Sequence, residues 1–231
     1  PISKGRVELV FVDGPLPAEE DNPQRQEQER FFKGMNFFDF ARIAQDGQDD
    51  ALEAARLRQE LEKKHGLGLF DYLWSHPDDF LKSADPRRYV AIEDTLAFLQ
   101  EQFRVHAPID GVLGFSQGAN FASLLAAQAI AGEGAQFSFV VHICPARPGW
   151  VRQRPDLFRR PLAMRSLHIS GERDFMNPPL CLQHLYETPV CLMHEDGHRP
   201  IPGTRAEEAN RVARAIMDFM LGEPVAGATA P

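Results

Sequence analysis

The sequence predicts an α/β fold: a mostly parallel central sheet flanked by helices, with an inserted lid-like region between the first strand and a later strand that carries a reactive serine. Three observations predict it. Short apolar, β-branched runs alternate with helix-forming segments, the pattern of a parallel sheet covered on both faces. The chain has 231 residues, of which 43% are hydrophobic, enough for one sizeable core. A strand-like run passes directly through Gly114-Phe115-Ser116-Gln117-Gly118 into an alanine-rich helix.

The elements follow in order. Val7 to Val12 is a β-branched run stopped by Asp13-Gly14-Pro15, hence a strand and a loop. Residues 16 to 30 are rich in Pro, Gln, Glu and Asp and should be exposed. Phe31 to Phe40 is aromatic without clean periodicity, which suits ordinary packing or the lining of a substrate pocket. Asp49 to Lys64 is helical, with Glu60 and Lys64 spaced for an i,i+4 pair. Tyr89 to Phe103 is an amphipathic helix with Ile92, Leu96 and Leu99 on one stripe. Ile109 to Phe115 is a strand and Ala119 to Ala131 a helix. Strands are expected over Phe137 to Cys144, Ser166 to Ser170 and Pro189 to Met193. Thr204-Arg205-Ala206-Glu207 has capping-box spacing and opens a last helix that stops near Gly222. This gives one domain over 1–222, with 223–231 as a flexible tail or linker.

Composition narrows the function. A net charge of −8 disfavours a nucleic-acid or anionic-membrane surface, and no apolar run is long enough to span a bilayer. Three sparse cysteines, Cys144, Cys181 and Cys191, form no disulfide framework and lack ligand spacing. With no secretory signal visible, a reducing, cytoplasmic location is expected. Cys144, at a strand end, reads as a small buried hydrophobe. No phosphate loop, dinucleotide fingerprint or calcium loop is present, so neither cofactor nor metal is expected. The chain opens at Pro1 without a methionine, as a processed product or a piece of a longer protein would.

Chemistry concentrates in three places. In the G-x-S-x-G turn, small residues are needed where the backbone crowds itself, and Gly114 and Gly118 supply them. The turn lifts the Ser116 hydroxyl to a helix start, where the dipole favours developing negative charge. The backbone N–H of Gln117 is one candidate oxyanion donor. A serine hydroxyl needs a base; His198, past the last strand, is placed to serve, and Asp174, just after the preceding strand, to orient it. Taken singly, the serine reads as incidental to a turn, the aspartate as a backbone cap and the histidine as a surface residue. Their order, serine then acid then histidine, is what outweighs those readings. Asp196 is a rival acid, disfavoured by its closeness to His198, and His194 a rival base, disfavoured by its place in the strand. His194-Glu195-Asp196-Gly197-His198 spells a zinc-protease motif, but that motif works on a helix, and Gly197, Pro200 and Pro202 argue against one.

Asp13-Gly14-Pro15, Gly114 to Gly118, Gly171-Glu172-Arg173-Asp174, Asp196-Gly197-His198 and the approach Pro108 to Leu113 together resemble the FSH-type serine hydrolases of the α/β-hydrolase superfamily. The resemblance runs from about Val7 to Pro202 and is most specific around Ser116. It implies hydrolysis of a carboxylic ester or acyl thioester of small-molecule size, through Ser116, His198 and Asp174 and an acyl-enzyme. Such families begin with a strand whose following loop gives the second oxyanion donor, and nothing before Val7 matches it. Either an upstream segment or another chain supplies it, or Val7 to Val12 is repurposed and the donor lies near Gly14. The alternative function is a catalytically impaired domain of the same fold that binds a ligand or partner.

Overall fold

The computed structural model describes residues 7–17, 38–44, 48–86, 88–145, 149–174 and 182–229. Most of the expected aromatic patch, the polar stretch 18–30 and Cys181 lie outside them. Among the described residues, four parallel strands form the central sheet in the order β5 (Gly111–Phe115), β6 (Phe139–Ile143), β7 (Arg165–Gly171), β8 (Pro189–His194). All four were expected, with bounds moved by at most two residues. The register is in step: Phe115 pairs with Ile143, and Ile143 with Ile169. Each strand therefore ends at the same rim of the sheet.

Side-chain alternation separates two faces. Phe139, Val141, Ile143, Leu167 and Ile169 pack with Val212, Ala215, Ile216 and Phe219 of the last helix, an apolar layer. The opposite face carries Val140 but also His142, Ser166 and His168, all fully buried. His142 Nδ1 lies 3.1 Å from the Ala119 carbonyl, so that nitrogen carries the proton and Nε2 accepts from the Tyr186 hydroxyl at 2.8 Å. Burial lowers the His142 pKa to about 3 and pushes that of His168 well below its ordinary value.

Six helices are described: α1 (Gln48–His65), α2 (Leu69–Ser75), α3 (Pro77–Ser83), α4 (Ile92–His106), α5 (Gln117–Ala131) and α6 (Ala206–Met220). The stripe Ile92, Leu96, Leu99 on α4 is buried, as its spacing predicts. On α1 the i,i+4 pair that forms is Arg58–Glu62 at 2.9 Å, rather than Glu60–Lys64. The inserted region contains α1 to α3 and the two-residue strands β2 (Phe38–Asp39), β3 (Arg42–Ile43) and β4 (Tyr89–Val90). Strand β2 pairs with β1 (Leu16–Pro17), and β3 with β4, both antiparallel. This region is anchored to the body by Trp74, whose indole donates to the His184 carbonyl at 3.1 Å, and by Phe70 stacked on His184. No described helix is long and apolar enough to cross a membrane.

Two expectations need correction. Val7 to Val12 is irregular, with Phe11 89% exposed; among the described residues no strand flanks it or the free edge of β5, so its β-forming composition has no ladder to join. The capping box does not close: the cap of α6 is Arg205, and Thr204 instead donates to Glu195 at 3.0 Å, a carboxylate also paired with Arg205. Beyond the last helix, Thr229 exchanges both backbone hydrogen bonds with Cys191 on β8, each 3.0 Å.

Candidate active site

Ser116 sits between β5 and α5 with φ 53° and ψ −119°, a conformation L-residues rarely adopt. Two bonds hold it there: its N–H donates to the Ile143 carbonyl at 2.9 Å, and its carbonyl accepts from Ala119 N at 3.1 Å. Position 114 must be glycine, since a Cβ there would fall 2.4 Å from the Gly118 carbonyl oxygen and 2.5 Å from Ala119 N. Gly118 is less constrained; the nearest atom to its imagined Cβ is on the Phe40 ring at 3.6 Å.

The side chains expected to cooperate do meet. His198 Nε2 is 2.9 Å from Ser116 Oγ, and His198 Nδ1 is 2.8 Å from Asp174 Oδ2. An ionised carboxylate only accepts, which assigns the proton to Nδ1 and leaves the Nε2 lone pair facing the serine hydroxyl. The Asp174 side chain is 2% exposed and that of His198 12%, so the pair is shielded yet reachable at one end. Phe115 lies against the imidazole with ring centroids 5.0 Å apart.

The two loops are locked to each other. A Cβ on Gly171 would stand 2.3 Å from the Gly197 carbonyl oxygen and 2.4 Å from that of Asp196, so the backbones touch where a side chain would separate them. Glu172 N donates to the His194 carbonyl at 2.8 Å and Arg173 N to that of Asp196 at 3.2 Å. Asp196, the rival acid, is occupied in closing its own loop: its carboxylate accepts from Gly203 N at 3.0 Å and Gly197 N at 2.8 Å, bonds that lower its pKa. His194, the rival base, is the last residue of β8 and fully buried, its Nδ1 accepting from Asp196 N at 3.2 Å. Residues 195–198 are bends, so the helix a His-Glu-x-x-His zinc site requires is not there.

Gln117 begins α5, where its N–H has no intrahelical partner. Its side chain does something the sequence did not disclose. Oε1 accepts from Phe40 N at 2.8 Å and Ala41 N at 3.2 Å, while Nε2 donates to the Ala41 carbonyl at 2.7 Å. Thr95 Oγ1 donates to the Phe40 carbonyl at 2.5 Å. The segment after β2 is thereby bolted over the serine turn. Gly14 is buried against that segment; a Cβ on it would fall 2.3 Å from the Asp39 carbonyl carbon and 2.7 Å from Phe40 N. Gly14 thus meets the turn through Phe40 and Gln117.

Cys144 was also missed as a neighbour. It follows β6 as Ser116 follows β5, at φ 45°, and its thiol faces the Asp174 carboxylate and lies 3.6 Å from the Arg199 carbonyl. Lining up the four strand ends would have found it.

The profile of the family described as serine hydrolase (FSH1) matches residues 1–209. The human esterase OVCA2 is 30% identical over 127 residues, covering 52% of this chain and 56% of that protein. Family of serine hydrolases 2 from Saccharomyces cerevisiae is 30% identical over 130 residues, 51% of this chain and 57% of its own. Esterase FPY3 from Fusarium mangiferae is 31% identical over 140 residues, 54% and 62%. The chain therefore spans little more than half the length of the curated relatives it matches. Among solved structures a puromycin hydrolase overlaps 59% of this chain and 26% of its own at 16% identity, with a TM-score of 0.37. With a family match over nine-tenths of its length, the chain belongs to the FSH1 serine hydrolase family.

Proposed function

We propose that the protein hydrolyses a carboxylic ester or acyl thioester in two steps, with Ser116 as nucleophile, His198 as base and then acid, and Asp174 as the orienting carboxylate. One observation carries the reading: the continuous hydrogen-bond path from Ser116 Oγ through both imidazole nitrogens to Asp174 Oδ2. In the first step Nε2 takes the hydroxyl proton as Oγ attacks the acyl carbon, and Asp174 stabilises the resulting imidazolium. The proton then passes to the departing alkoxide or thiolate. In the second step water gives its proton to the same nitrogen, attacks the acyl-enzyme and frees the acid.

The oxyanion is assigned to the N–H of Gln117 and, as second donor, the N–H of Gly14. The reading at Gly14 is supported by its packing on the Asp39–Phe40 backbone that Gln117 clamps over the turn. Small-molecule esters are the substrate class, in keeping with relatives named as esterases.

Ser116→Ala tests the reading. Turnover of a nitrophenyl ester and labelling by a fluorophosphonate should both vanish, with a rate loss of about 10⁴ or more. Retention of more than a few per cent of the rate in a folded variant would end the proposal. It would also favour the ligand-binding alternative.

A further inference from the structure

Cys144 has no part in the proposed mechanism, yet its sulfur, an Asp174 carboxylate oxygen and a His198 ring nitrogen all lie within 4.8 Å of one another. Thiolate, imidazole and carboxylate together are the donor set of zinc and cadmium, not of magnesium or calcium. A tetrahedral site with bonds of about 2.0–2.3 Å places its donors roughly 3.3–3.8 Å apart, so a cation would part Asp174 Oδ2 from His198 Nδ1, now 2.8 Å apart, while donor pairs that stand wider, at up to 4.8 Å, close by up to about 1 Å. The three residues come from the ends of three different strands, β6, β7 and β8, so only the folded chain presents them together.

We propose that Cys144, Asp174 and His198 form an inhibitory binding site for a thiophilic divalent cation of the zinc and cadmium class. The inhibitory consequence rests on the triad reading above; the binding itself does not. The cation would bond to Cys144 Sγ, Asp174 Oδ and His198 Nδ1. Cys144 loses its thiol proton to solvent. The Nδ1 proton is displaced and, through solvent, reappears on Nε2. Asp174 is already a carboxylate, so one proton is released per ion bound. With its proton on Nε2 the imidazole has no lone pair to offer Ser116, and the base is switched off while the serine remains in place.

The test uses the full chain, stripped with a chelator and dialysed. Cadmium is titrated while the ultraviolet cadmium–thiolate charge-transfer band is followed, in the wild type, Cys144→Ser and Cys191→Ser. Circular dichroism verifies that each variant is folded. A saturable band in the wild type and in Cys191→Ser, lost in Cys144→Ser, is the expected result. Zinc should slow fluorophosphonate labelling of Ser116 by about tenfold or more in the wild type, reversibly with EDTA, and weaken in proportion to the lost ligand in Cys144→Ser. A band that survives in Cys144→Ser, or zinc inhibition of equal strength in both proteins, overturns the proposal. If metal-free wild type shows no labelling while the band behaves as expected, the hydrolase reading fails and the metal site stands.

Discussion

Replacing Gln117 with alanine removes a three-bond clamp without touching the Ser116–His198–Asp174 path. The lost bonds join Oε1 to Phe40 N and Ala41 N, and Nε2 to the Ala41 carbonyl. A backbone hydrogen bond contributes about 0.5–1.5 kcal/mol net, and these are half-buried, so the three together are worth about 2–3 kcal/mol. At about 2–4 °C per kcal/mol for a chain of this size, Gln117→Ala should melt some 4–12 °C lower. Hydrolysis should fall further than stability accounts for, because the Phe40–Ala41 segment and Gly14 behind it would lose their register with the serine turn. Gln117→Glu is the informative partner. It keeps the acceptor for two N–H groups but sets a carboxylate against the Ala41 carbonyl, so it should recover only part of the loss. Melting curves and initial rates on one nitrophenyl ester give both numbers. A Gln117→Ala protein that melts within 1 °C of wild type and turns over at the same rate would show that the clamp holds nothing.

Stability should also fall in acid. His142 and His168 are held neutral by burial, with pKa values depressed in the fold and near 6.5 when unfolded. Their contribution is complete above pH 6.5 and is lost as the pH drops below it. For His142 the loss is about 1.4 kcal/mol per pH unit while the folded site stays unprotonated, hence about 2 kcal/mol at pH 5, and His168 acts in the same direction. Urea midpoints between pH 8 and pH 5 measure this, and Tyr186→Phe, which removes the donor to His142 Nε2, should lower the curve at both ends. Gly171→Ala, which pushes a methyl into the carbonyls of Asp196 and Gly197, should displace His198 and cut kcat by about a hundredfold. An unchanged kcat there would mean that the two loops do not set the position of the imidazole.

The serine turn, the acid and the histidine were legible because each depends on neighbours in sequence: a strand, a tight turn, a loop just past the strand. Strands β5 to β8 were legible because runs such as Phe139 to Ile143, buried at every position, are apolar but for His142. Composition failed at Val7 to Val12, since a strand needs a flanking ladder and residue types do not say whether one is there. The capping box failed because Glu195, nine residues upstream of Thr204, competes for its hydroxyl. Two contacts were invisible for the same reason, range: Gln117 reaches back 76 residues to Ala41, and Cys144 meets Asp174 only when parallel strands fall into step.

The antiparallel bridge between Thr229 and Cys191 bears on how the molecule behaves in a crowd. An open strand margin invites a neighbouring chain to zip onto it, and here the last described residues lie along the outer margin of β8 and occupy its free backbone groups at one point. Trimming the protein after Met220 would uncover that margin and invite sticking between copies, with the Ser116–His198–Asp174 path untouched.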